Sequence, residues 1–321
     1  MKAARRVIGL LVLLVGFAFG QITLAQEAVD PAALQEIASA FTNTQAVSSL
    51  HIVSQSLTES TGGADGQSLS TQQTQEFDVS KTEAGWNLQG STTTNTSMPF
   101  GAFELTSETV IVDGVTYVRF GELPQGMPLE LPTDWVDLEA FAAELGNANG
   151  LPAGQGLPFG AATDQLLDTL LLPINTESVT QITALPADQI NGQAMRVYQV
   201  TLDSAVMLEN EAFDFAAFGQ VGGFGGGFGG GVPDNFTPPA GAPELPAAGE
   251  LTLPTPEEIQ MTFAVYIGEE DGLVHRVYLV ITVAASGDAE NPGLGLTLTR
   301  VNDYSKFNEI VEISAPISTP E

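Results

Sequence analysis

Between residues 259 and 283 the chain alternates apolar and polar side chains with a period of two, and this constrains the fold more than any other feature. Ile259, Met261, Phe263, Val265 and Ile267 alternate with Gln260, Thr262, Ala264 and Tyr266. Successive side chains of a strand point to opposite faces, so such a run has one face to bury and one to show to water. Gly268 to Gly272 turns the chain, and Leu273 to Val283 returns with Leu279 near its centre. Gly295 to Val301 supplies a third strand, with Leu296 and Leu298 inward against Thr297 and Thr299. A sheet built this way needs a cover on its apolar face.

The same pattern, richer in Ser, Thr and Gln, recurs upstream over Leu50–Leu57, Gln72–Ser80 and Ala84–Thr94. Asp113-Gly114 separates Thr109–Val112 from Val115–Phe120, and Asn191-Gly192 precedes Met195–Leu202. A two-residue Asp-Gly or Asn-Gly between apolar runs is a strong hairpin signal. A further strand is expected over Ser178–Leu185.

Helices are few and segregated. Asp30 can cap a first helix, Pro31 suits its first position, and Leu34, Ile37 and Phe41 share one face. Two short helices follow in the middle of the chain. One spans Asp137–Leu145 with Leu138, Phe141 and Leu145 at helical spacing; the other starts at Thr163 and carries Leu166, Leu167 and Leu170. Both sit on Gly/Pro-rich connections and are candidate covers over the sheet. The order predicts an α+β fold, with one large curved antiparallel sheet favoured over a two-layer sandwich.

The first 25 residues read as a secretory signal. Lys2, Arg5 and Arg6 precede an apolar stretch from Val7 to Phe19, and Thr23-Leu24-Ala25 offers a cleavage site. Gly20, Gln21 and Thr23 break the run before the roughly 20 apolar residues that a span requires, so cleavage is favoured over an uncleaved anchor. Residues 26–321 then form a single domain, with a Gly/Pro-rich low-complexity insertion at about 219–250 that is expected to be disordered. Nothing later in the chain is long and apolar enough to span a membrane.

Three of the nine basic residues precede residue 26, which leaves six cations against 39 carboxylates. Such a surface repels phosphate backbones, so nucleic acid is not an expected partner. There is no cysteine, hence no disulfide and no thiolate metal site. His51 and His275 each stand alone, no G-x-S-x-G elbow is present, and Glu269-Glu270-Asp271 falls in a hairpin turn. The reading is of a protein that is not an enzyme and needs neither cofactor nor metal.

Four segments resemble the LolA-like superfamily of exported lipid- and lipoprotein-binding domains, especially the LppX/LprG lipoproteins. They are the helix straight after the signal; the Asp113-Gly114 hairpin running on as Val115-Thr116-Tyr117-Val118, with Trp135 beyond; the Met261–Ile267 to Val277–Val280 hairpin; and the closing run Asp303-Tyr304-Ser305-Lys306-Phe307-Asn308-Glu309-Ile310-Val311-Glu312-Ile313-Ser314-Ala315-Pro316. The lipidated cysteine of the lipoprotein members has no counterpart here. The resemblance implies a half-open β-barrel with helices on its concave side and a cavity for acyl chains or a lipidated segment. Ile259, Met261, Phe263, Val265, Ile267, Leu279, Leu296 and Leu298 would then line the floor, and the helices around Leu138–Leu145 and Leu166–Leu171 would gate it. The expected role is a non-catalytic carrier of a hydrophobic ligand, lipid or lipidated, in the extracellular or cell-envelope space. An envelope sensor or protein-interaction domain on the same fold, without cargo, is the alternative.

Overall fold

The computed structural model describes residues 29–62, 67–83, 85–98, 101–122, 131–149, 176–209, 258–284 and 295–316. The signal, the Gly-rich insertion and the second middle helix, with Leu166, Leu167 and Leu170, lie outside them.

Helix α1 spans Pro31–Ala46 and begins as its sequence dictates. Asp30 accepts a hydrogen bond from the Ala32 amide at 2.9 Å, and Pro31 takes a position whose amide would have no helical partner. Strands β1 (Ser49–Gly62), β2 (Gln67–Thr82), β3 (Gly85–Met98) and β4 (Gly101–Val112) follow as a long meander. β5 (Val115–Phe120) and the two-residue β6 (Val136–Asp137) lead into α2 (Leu138–Asn149), whose first turn is capped by Asp137. Next come β7 (Val179–Ile190), β8 (Gln193–Leu202), the short α3 (Ser204–Glu209), β9 (Ile259–Gly268), β10 (Val274–Val283) and β11 (Gly295–Ser305).

All eleven strands join one antiparallel sheet in the order β6-β5-β4-β3-β2-β1-β11-β10-β9-β8-β7. β6 and β7 end the order without pairing to each other, so the barrel is half open. Twist curls a sheet of this many strands, and α1 packs on its apolar face. Both free edges are poor templates for further pairing. β6 has two residues, and β7 carries Pro186 within a register shift between Leu185 and Asp188. The two sequence-predicted turns form as expected. Asp113 and Gly114 have φ of 52° and 81°, and Asn191 and Gly192 have 52° and 86°, the left-handed values that a type I′ hairpin requires.

The sheet is larger than the sequence pattern suggests. β4 begins at Gly101 rather than near Thr109, and β1 to β3 each extend beyond their apolar cores. The added residues of β1 to β3 are mostly Ser, Thr, Gln and Asn, which mark no face by hydropathy and are held in extended form by ladder bonds to neighbouring strands.

The core gathers Ile37, Ala40 and Phe41 of α1 against Leu50, Ile52, Phe77, Val79, Leu88 and Ile111 from the first meander and Val265, Ile267 and Val277 from the last strands. Antiparallel pairing of β1 with β11 welds the two halves of the chain. Past Ser305 the left-handed Lys306 and Asn308 turn the closing run back onto β1. There the Asn308 side chain accepts from the Ser48 amide at 2.9 Å, and the Asn308 amide donates to Ser49 O at 2.9 Å.

Candidate functional site

Register places the whole sequence-predicted row on the covered face. Val283, Ile281, Leu279 and Val277 of β10 stand opposite Ile259, Met261, Phe263 and Val265 of β9. Leu296 and Leu298 of β11 stand opposite Val283 and Ile281. All eight predicted residues belong to, or pack on, one apolar cluster; Leu296 is half-buried and the others are buried.

α1 lies across the strands at one end of this row. Its Glu36 accepts from the Tyr198 hydroxyl of β8 at 2.9 Å and pairs with Arg196 at 2.8 Å, while its Thr44 accepts from the Val274 amide of β10 at 2.9 Å. Tyr198 and Arg196 are register partners of Val265 and Ile267. Ile259 sits six residues further along the same strand, about 20 Å away at the usual strand rise. A helix crossing the strands is about 10–12 Å wide, so α1 covers the Val265–Ile267 end and not the Ile259–Met261 end. α3 packs beside β9 at that far end.

α2 forms where the spacing of Leu138 and Phe141 predicts, with both side chains half-buried. Its main contacts are with β5 and β6, at the opposite edge of the sheet from β8 and β9. The side chain of Leu145 lies outside the described residues.

Toward β1, β2 and β3 the covered face changes character. Arg300 and Asn302 of β11 share the face of Leu296 and Leu298, and Ser54, Ser56, Gln73, Gln75, Thr92 and Thr94 continue the rows across the meander. Arg300 is 1 % exposed and Asn302 0 %. Burial pulls the Arg300 guanidinium down to about 10, against the opposing pull of Tyr304, and pushes the Tyr304 phenol up. The alternation that marked Leu296 and Leu298 also carries Arg300 inward within Gly295–Val301, and Asn302 follows because β11 runs on to Ser305.

The two histidines are bound to carboxylates. On the convex face, His51 Nδ1 meets Asp78 at 2.7 Å and its Nε2 faces Glu76 at 3.5 Å, so both ring nitrogens are taken by acids and neither serves a serine. His275 Nε2 meets Asp271 at 2.9 Å, beneath the edge of the Phe307 ring. Burial alone would raise the Asp271 carboxyl, but hydrogen bonds from the Leu273 amide, Gln193 and His275 outweigh it and hold the carboxyl below its usual value. Among the described residues no three His, Asp or Glu side chains are grouped to hold a metal ion, and no helix is long and apolar enough to cross a membrane.

No protein-family model and no curated sequence matches the chain. Among solved structures the chain is similar to the lipoprotein LppX of Mycobacterium tuberculosis, at 14 % identity and a TM-score of 0.37 over 89 % of this chain and 100 % of that one. LprF of Mycobacterium bovis is 14 % identical with a TM-score of 0.41, covering 90 % of this chain and 99 % of its own. A DUF1329 family protein from Desulfovibrio piger is 9 % identical with a TM-score of 0.25, over 89 % and 96 % of the two chains.

Proposed function

We propose that this protein is an exported, non-catalytic carrier that buries the apolar part of a lipid or lipidated molecule against the covered face of its open sheet. One observation carries the reading: the apolar row extends from Val265 beneath α1 to Ile259, about 20 Å along the strand, with Met261, Ile281, Leu298, Val283 and Leu296 beside it, on a sheet that does not close. The signal-like N-terminus and the surplus of carboxylates suit a soluble protein working outside the cytoplasm.

The energetics are adequate. Burying about 300 Å² of acyl chain at about 25 cal/mol per Å² contributes about 7 kcal/mol. Lost translational and rotational freedom takes back about 4 kcal/mol or more. Useful affinity therefore needs either a second chain or a polar contact for the head.

The test is mass spectrometry of an organic extract from the protein, produced through its own export route. A stoichiometric lipid that is absent from a matched control protein establishes the carrier and names its cargo class. A clean extract, together with no uptake of fluorescent fatty acids or phospholipids, removes the carrier reading and leaves an interaction domain without cargo.

A further inference from the structure

The covered face of the first meander carries hydroxyl and amide side chains between two apolar flanks. Across one row, Leu105, Thr94, Gln73 and Ser56 are successive register partners on β4, β3, β2 and β1. The next row starts with Phe103, Thr96, Thr71 and Thr58 on the same strands and runs on into Leu298, Ile281 and Met261 of the apolar floor. It passes from apolar to polar and back to apolar. The polar strip covers three strands, about 10 Å from β3 to β1 at the usual strand spacing.

The strip is dry and loosely paired. Thr96 is 0 % exposed, Thr71 4 %, Thr94 8 % and Gln73 9 %. The Thr71 and Thr96 hydroxyls lie 3.5 Å apart, and Gln73 Nε2 donates to Thr94 Oγ1 at 3.4 Å, both at the long limit of a hydrogen bond. Gln73 Oε1 is buried with no hydrogen bond. Arg300 and Asn302, the neighbouring polar residues of β11, are engaged in interactions of their own and are no part of the strip.

A buried acceptor without a donor has given up its water and received nothing in exchange. A ligand that brings a donor restores the bond, and one without a donor leaves it unmade, so such a site discriminates strongly between the two. The donor that suits this strip is uncharged, because alcohols and a neutral amide return less than an ion loses on leaving water. A hydroxyl is a small neutral group that can give its proton to Gln73 Oε1 and accept one from a threonine.

We propose that Gln73, with Thr71, Thr94 and Thr96, forms a subsite for an uncharged hydroxyl of the bound amphiphile, a long-chain alcohol or a partly esterified glycerol, whose chain lies along Leu298, Ile281 and Met261. This rests on the carrier reading and adds a rule of selection to it: the cargo is chosen by a proton that it can donate, and not by its chain alone. The bond to Gln73 also supplies the polar contact that one acyl chain lacks.

The experiment is titration calorimetry on the delipidated full chain with decanol, decyl methyl ether and decanoate. The ether keeps the oxygen of decanol and lacks its proton. The wild type is expected to take decanol about tenfold or more tightly than the ether, and more tightly than decanoate. Gln73→Leu is expected to bind decanol and the ether alike while melting at the same or a higher temperature. Thr71→Val with Thr96→Val, which leaves the glutamine in place, is expected to reduce the preference severalfold and serves if Gln73→Leu does not fold. Equal affinity of the wild type for decanol and the ether, or an undiminished preference in whichever variant folds, overturns the subsite and leaves the carrier standing. Decanoate binding more tightly than decanol assigns the head to an anion and overturns the hydroxyl subsite. Failure of the wild type to bind any of the three chains overturns subsite and carrier together.

Discussion

The Tyr198 hydroxyl donates to Glu36 Oε2 at 2.9 Å, and the other oxygen of that carboxylate faces Arg196 at 2.8 Å as an electrostatic contact. One acid of α1 thus clamps two residues of β8, and with the Thr44–Val274 bond it sets the angle at which the helix crosses the sheet.

Tyr198→Phe should lower stability by about 1 kcal/mol, the usual net contribution of one such bond. Burial first, and then the bond to Glu36, raise the Tyr198 phenol above its ordinary value of 10.0. A raised folded value means that this contribution is complete below pH 10 and is lost as the pH climbs through the folded pKa. Urea midpoints measured from pH 7 to 11 should therefore fall less steeply in Tyr198→Phe than in the wild type. Parallel curves would disprove the clamp.

Gly90 stands opposite Phe77 within the meander, where a Cβ would overlap the Glu76 carbonyl oxygen and the Phe77 ring. Gly90→Ala should destabilise by about 1–3 kcal/mol through overpacking, with the urea m-value unchanged. A neutral substitution would mean that Phe77 does not lie over that glycine.

Asp271 binds the Leu273 amide, Gln193 and His275 across the turn between β9 and β10. Its lowered pKa means that the stabilisation is present above the unfolded value near 3.9 and is lost as the pH falls through the lower folded value. Asp271→Asn should differ from the wild type at pH 7 and converge with it near pH 2, in thermal melts across that range. The side chain is about a third exposed, so the difference at pH 7 should stay modest.

Core and floor should separate by mutation. Phe77→Ala, at a fully buried position close to α1, should cost about 3–5 kcal/mol. Leu296→Ala, half-buried at the far end, should cost much less yet weaken the uptake of a fluorescent fatty acid. Met261→Asp with Leu296→Lys should abolish uptake, scored where far-UV dichroism and melting show a folded protein. Unchanged uptake in a folded double variant would place the ligand elsewhere.

Local chemistry made much of this legible. Asp30 and Pro31 start α1, Asp113-Gly114 and Asn191-Gly192 form left-handed turns, and period-two alternation puts Ile259 to Ile267 on one face. Each of these rests on neighbours within a few residues. The lengths of β1 to β3 do not, because their Ser, Thr and Gln are held extended by partner strands and not by a pattern of their own.

What the sequence determined by itself was therefore the parity of each strand, the positions of its tight turns and the charge that the surface presents. The tertiary structure alone decided that β1 pairs with β11, which sets Ser48 against Asn308, 260 residues away in sequence. It also decided that Gln73, Gln75, Arg300 and Asn302 share one buried patch beside Leu279. Side-chain parity is a property of the backbone repeat, while neighbourhood across a sheet depends on register, which is settled only when every strand finds its partner.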